Sequence, residues 1–120
     1  MPVRPKSVYE EASPDDGVRV LTTNYWPRGV SKERGGTYLR ILAPERELLR
    51  RYKAGETSWP EYRTAYIVRM AGDDQRAAIE ELASRARTET VTIMCACKDA
   101  AECHRSLLVE LIEEAMRIPA

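Results

Sequence analysis

Val91-Thr-Ile-Met-Cys95-Ala-Cys97-Lys-Asp-Ala-Ala-Glu-Cys103-His104-Arg105-Ser-Leu-Leu-Val-Glu-Leu-Ile112 decides the fold of this 120-residue chain. It reads as a buried strand, a short polar turn and an amphipathic helix. Val91, Ile93, Cys95 and Cys97 alternate with Thr92, Met94 and Ala96. Both faces are small or apolar, as in a strand covered on two sides. Asp99 is in place to cap the next helix, with Glu102 three residues on as the partner of a capping box. Leu107, Leu108, Leu111, Ile112 and Ala115 then form one stripe at helical spacing. At roughly 100° per residue, His104 falls within that stripe, with Cys103 and Arg105 on its two edges. His104 is therefore expected under the sheet, near the strand end that carries Cys95 and Cys97. All three cysteines and the single histidine of the chain lie in this stretch.

Outward from it, the pattern alternates strands and helices. Val3 to Glu10 reads as a short edge strand. Ser13-Pro-Asp-Asp-Gly17 is a turn, and Val18 to Trp26 a strand that Trp26-Pro-Arg-Gly29 ends. Val30 to Tyr38 reads as a loop. Pro44 suits the first turn of a helix running to about Tyr52, closed by Gly55. Thr57 or Ser58 caps a second helix with Trp59, Tyr62, Tyr66, Ile67 and Met70 inward. Gly72 ends it, and Asp73 or Asp74 starts a third with Ala78, Ile79, Leu82, Ala83 and Ala86 inward. The expected class is α/β: residues 1–120 as a single compact domain, with a small, mainly parallel sheet of three or four strands and helices on both faces.

Charge balances, with 19 basic and 19 acidic residues, so bulk charge selects neither a nucleic acid nor a membrane. The distribution is uneven: Arg28 to Lys53 holds eight basic residues against three acidic ones. Fifteen of the basic residues are arginine, which favours planar, bidentate contacts. An odd cysteine count, no leader-like start and no long apolar run fit a cytoplasmic protein with reduced thiols and no membrane span.

Several motifs together resemble one family. They are Ser13-Pro-Asp-Asp-Gly17, Trp26-Pro-Arg-Gly-Val-Ser-Lys-Glu33, Leu42-Ala-Pro44, the spaced Trp59, Tyr62 and Tyr66, Lys98-Asp99, and Cys103-His104-Arg105-Ser106. From Lys6 to Ile112 the chain is similar to domain-of-unknown-function family 488 in its short, YeaO-like form. The resemblance implies a small cytoplasmic α/β domain of a prokaryote, and a fold more than an activity. Members often carry Arg two residues before the motif tryptophan, after Asp. Here Thr23 and Asn24 stand there, which removes one possible anion contact.

Three constellations are candidates for chemistry. A thiol beside an imidazole and a guanidinium can act as a nucleophile, so Cys97, with Cys103 as the alternative, His104 as base and Arg105 and Arg28 as anion holders, form a candidate reactive site. The bland alternative is that the cysteines are small core residues and that His104 bonds backbone. Arg28, Lys32, Lys98 and Arg105 are the candidate anion pocket, set against loops stitched by Arg–carboxylate pairs. For a metal, the ligand chemistry is right but the spacing is poor, because adjacent helical residues point about 100° apart. No metal and no cofactor are expected. The expected function is chemistry on a small phosphorylated or nucleotide-like anion through a Cys-His-Arg site. The alternative is a non-enzymatic nucleotide-, RNA- or protein-binding module using the basic Arg28–Lys53 segment, with nucleic acid weakly supported.

Overall fold

The structure is a computed structural model, which describes residues 3–96 and 103–117. Four strands form the sheet: β1 (Val3–Ser7), β2 (Val18–Leu21), β3 (Thr37–Tyr38) and β4 (Val91–Cys95). Their order is β1-β4-β2-β3 and every pairing is parallel. The first strand lies at an edge, beside β4, with Val3 opposite Val91 and Ser7 opposite Cys95. β4 is buried at all five positions, as its unbroken small and apolar run requires. The helices are the single turn α1 (Lys32–Gly35), α2 (Arg46–Lys53), α3 (Trp59–Met70), α4 (Asp73–Ala86) and α5 (His104–Met116). Among the described residues, no helix is long and apolar enough to cross a membrane.

The strand order assigns the faces. From β1 to β2 to β3 the chain steps one way across the sheet, and from β3 to β4 it steps back. Right-handed crossovers place connections of opposite direction on opposite faces. The side chains agree. Val3, Val20, Val91 and Ile93 point into the main core with Tyr62, Tyr66, Ile79, Leu82, Leu108 and Ile112, from α3, α4 and α5. Leu21 and Met94 point the other way, into a second cluster with Val8, Val30 and Tyr38. The helical cover there is brief: a 3-10 turn at Pro14–Asp16, and α1, which packs against β2.

Local chemistry sets the element ends. Ser58 caps α3, accepting from the Glu61 N–H while Glu61 accepts from the Ser58 N–H. Ser13 and Asp16 make the same reciprocal pair around the 3-10 turn. Gly17 ends that turn at φ 62°, and a Cβ there would sit 2.2 Å from the Thr90 carbonyl oxygen, so only glycine fits. Pro44 precedes α2 rather than opening it, since Glu45 is the N-cap. The segment read as a loop from Val30 to Tyr38 contains α1 and β3.

Beneath the 3-10 turn lies a buried ion cluster. The Asp16 carboxylate accepts from Arg4 at 2.7 Å, from Lys6 at 3.0 Å, from the Ser13 N–H at 3.0 Å and from Arg19. Burial pushes this carboxyl up, but the Ser13 N–H and the Lys6 and Arg4 cations outweigh it and hold it well below the usual carboxylate range. The Thr92 hydroxyl donates to the Asp16 carbonyl at 2.7 Å, tying the turn to β4.

Candidate functional site

In a parallel sheet the carboxyl ends of all strands share one rim. Here β2 and β4 are neighbours whose outgoing connections run to opposite faces. A crevice opens between such strands, at the topological switch point where open α/β sheets take ligands. This protein has a cleft of about 1130 Å³ at that place. Its lining draws on the segments leaving the strands, through Tyr9, Thr23, Asn24, Tyr25, Arg40 and Ala96. Along its length α2 adds Arg46, Arg50 and Lys53, and α3 adds Arg69. Among the described residues, five cationic side chains therefore meet two carboxylates, Glu45 and Glu47, around the opening. Glu47 accepts from Arg50 at 2.6 Å. Arg69 donates through Nε to the Ala43 carbonyl at 3.0 Å, which fixes the plane of its guanidinium. The Arg46 guanidinium carbon lies 4.9 Å from the centre of the Tyr25 ring. Asn24 donates to the Pro44 carbonyl at 2.9 Å and ties the two walls together.

Cys95 and His104 form the floor of the cleft. Cys95 is the last residue of β4 and His104 the first of α5. The His104 Nε2 is 2.7 Å from the Thr22 carbonyl oxygen and 3.0 Å from the Thr22 hydroxyl. A carbonyl only accepts, so Nε2 carries the proton. The Thr22 hydroxyl sends its own hydrogen to the Met94 carbonyl at 3.2 Å and accepts from the ring. In the neutral imidazole, Nδ1 is then the lone-pair nitrogen, and it faces the Cys103 Sγ at 3.7 Å. Cys103 Sγ is in turn 3.0 Å from Cys95 Sγ. The Arg105 Nη1 donates to Cys95 Sγ at 3.2 Å and to the Lys6 carbonyl at 3.4 Å. Cys95, Cys103, His104 and Arg105 are all buried. The backbone bond expected of a structural histidine is present at Nε2, and it leaves Nδ1 aimed at sulfur.

The residues singled out from sequence are distributed unevenly. Cys103, His104 and Arg105 come together with Cys95, which ends β4. Cys97 and Lys98 lie outside the described residues, as do Asp99 and Glu102 of the expected capping box. Arg28 is exposed beyond the buried Pro27, at a turn held by the Trp26 indole N–H, which donates to the Val30 carbonyl at 2.7 Å. Lys32 is exposed in α1. Neither these two nor Arg105 lines the cleft; Arg40, Arg46, Arg50, Lys53 and Arg69 do. The spacing objection to a metal is corrected. It assumed that Cys103 and His104 are both helical, but Cys103 is the extended N-cap of α5, at φ −144° and ψ 146°. The two side chains therefore converge, and one ligand atom each from Cys95, Cys103 and His104 lie within 4.8 Å of one another. Thr22 and Arg69 carried no motif. Only the parallel pairing of β2 with β4 could have brought Thr22 beside His104.

These features define a small α/β domain with an all-parallel sheet and a basic cleft at its switch point. Within that class the chain belongs to the DUF488 family: the family model described as the "Active DUF488-N3 subclade" matches residues 3–116. It is similar to Rv3073c of Mycobacterium tuberculosis strain H37Rv, with 32% identity over 112 residues that cover 92% of each chain. Mb3100c of Mycobacterium bovis is similar to the same extent. YeaO of Escherichia coli K12 is 26% identical over 116 residues, covering 92% of this chain and 96% of YeaO. Each of the three is named as an uncharacterised protein. No solved structure matches the chain.

Proposed function

We propose that this protein is an enzyme acting on a small phosphorylated or nucleotide-like anion, bound at the carboxyl ends of β2 and β4. The observation that carries the reading is the cleft, where Arg40, Arg46, Arg50, Lys53 and Arg69 surround a floor made of Cys95 and His104. Arginine forks suit phosphate oxygens, which they bind two at a time. A volume of 1130 Å³ accommodates a ligand of nucleotide size, small-molecule clefts spanning about 300–1,000 Å³. Tyr9 and Tyr25 are exposed and contribute to the lining, offering a planar ring a surface to stack on. In this reading the basic wall holds the anion, and the reacting end of the ligand points at the thiol–imidazole floor.

One observation favours a second reading, a non-enzymatic binding module. Four of the five cations, Arg40, Arg46, Arg50 and Lys53, come from the basic segment that such a module would use. The two readings share the binding step and differ in the fate of the ligand.

The test is thermal unfolding at fixed ionic strength with inorganic phosphate and a series of nucleoside monophosphates. The melting temperature should rise with the logarithm of ligand concentration, by about 2.7 kcal/mol of stabilisation at 100 times the dissociation constant. Arg46→Ala and Arg69→Ala should each lose most of that rise. No ligand-dependent rise, or an equal one with chloride, contradicts the reading. Chromatography of the ligand after incubation separates enzyme from module: conversion means the first, quantitative recovery the second.

A further inference from the structure

We propose that Cys95, Cys103 and His104 form a binding site for one thiophilic divalent cation, Zn²⁺ by its ligand chemistry, with its open coordination position toward the cleft. Two sulfurs and an imidazole are ligands that zinc prefers over carboxylate and water sets. The three donor atoms lie within 4.8 Å of one another. Bond lengths of about 2.3 Å to sulfur and 2.0–2.1 Å to nitrogen put tetrahedral ligand atoms about 3.5–3.8 Å apart. The Cys103 Sγ to His104 Nδ1 separation is 3.7 Å. The Cys95 and Cys103 sulfurs, 3.0 Å apart, have to spread by less than about an ångström, within reach of small side-chain rotations.

The surroundings are those of a ligand set rather than of two core thiols and a core histidine. Metal-binding histidines hold their second ring nitrogen on a carbonyl or carboxylate, which fixes tautomer and orientation. His104 does this through Nε2 and the Thr22 carbonyl at 2.7 Å. Cys95 Sγ receives the Arg105 Nη1–H at 3.2 Å, a contact suited to a metal-bound thiolate. Binding would release the two thiol protons to solvent, while the imidazole binds neutral and keeps its proton on Nε2, donated to the Thr22 carbonyl. The three ligands among the described residues leave a fourth position, as in catalytic rather than structural zinc sites. Since Cys95 and His104 line the cleft, that position faces the space assigned above to the anion. Only this last point rests on the proposed function. The metal site itself stands on the ligand geometry.

The experiment titrates Co²⁺ and Zn²⁺ into reduced, metal-stripped full-length protein, without phosphate. One equivalent of Co²⁺ should give a near-ultraviolet thiolate charge-transfer band. The band should fall to about half in Cys95→Ser and in Cys103→Ser and be absent from the double variant. His104→Ala should retain the band but bind at least 10–100-fold more weakly, since loss even of an outer-shell partner has that effect. Should the serine variants not fold, alkylation of the wild type decides. One equivalent of Zn²⁺ should protect Cys95 and Cys103, identified by peptide mass, and a chelator should expose them again. A band unaffected by both serine substitutions, no band at all, or thiols that reductant but not chelator restores would each overturn the proposal, the last indicating a disulfide. Because phosphate is absent, failure here leaves the anion cleft untouched. Success here with no phosphate response would retire the cleft reading alone.

Discussion

At the scale of single residues, the balance of burial against partners decides what each group does. Asp16 illustrates it. Its carboxylate is buried, and the Ser13 N–H with Arg4, Lys6 and Arg19 compensates for the lost water. Removing the charge strands three cations around a neutral amide. Asp16→Asn should therefore destabilise by about 3–5 kcal/mol at neutral pH, as other broken buried pairs do. The folded-state carboxyl is held well below its usual range, so its contribution is fully present above the unfolded value of about 3.9 and disappears as pH falls below that. In urea melts the gap between the two proteins should thus hold from neutral pH down to about pH 4 and narrow progressively below that. A gap independent of pH would mean that the cluster does not hold Asp16 ionised. The sequence shows Asp16 only as one more residue of a Pro-Asp-Asp-Gly turn. Its partners come from β1 and β2, and no local pattern announces them. His104 was legible as a buried histidine on an apolar stripe, but its partner Thr22 lies 82 positions away and became visible only through strand pairing.

At the scale of elements, periodicity was a good guide and termini were not. The α4 stripe of Ile79, Leu82, Ala83 and Ala86 is buried as its spacing requires. In α3, Tyr62, Tyr66 and Met70 are buried, while Trp59 and Ile67 are half-buried. Tyr62 lies 5.3 Å from the Trp59 ring and 4.9 Å from that of Tyr52, joining α3 to α2. Tyr62→Ala should then destabilise by about 3–5 kcal/mol, in the range of other large aromatic core truncations. A denaturant midpoint within experimental error of wild type would return this stripe to the surface and open it to binding. The start of α5 shows the limit of pattern reading. Cys103 and His104 read as neighbours within one helix, yet α5 begins at His104 with Cys103 as its extended N-cap, and that turns a side-chain pair expected to diverge into one that converges. Likewise Val18 to Trp26 has good strand formers, but β2 stops at Leu21, because Thr22 turns its hydroxyl and carbonyl to His104.

At the scale of the whole molecule, the α/β class and a parallel sheet followed from the buried strand and the alternation of elements. The order β1-β4-β2-β3 did not, because nothing local tells β4 to insert between β1 and β2. That insertion matters most for function. It makes β2 and β4 neighbours with connections leaving to opposite faces, and so sets the cleft beside Cys95 and His104. It also decides which basic residues line the cleft proposed for the anion. Arg28 and Arg105 looked convergent as basic residues near two strand ends, yet the lining arginines come from the Arg40 to Arg50 region and from Arg69. The most direct measurement is therefore a titration of isotopically labelled protein with a nucleoside monophosphate at constant ionic strength, followed by amide chemical shifts. Saturable changes should cluster at Thr23, Asn24, Tyr25, Arg46 and Ala96 and leave Arg28 and Lys32 still. Changes centred on Arg28 and Lys32, or none at any ligand concentration, would contradict a binding cleft at the switch point.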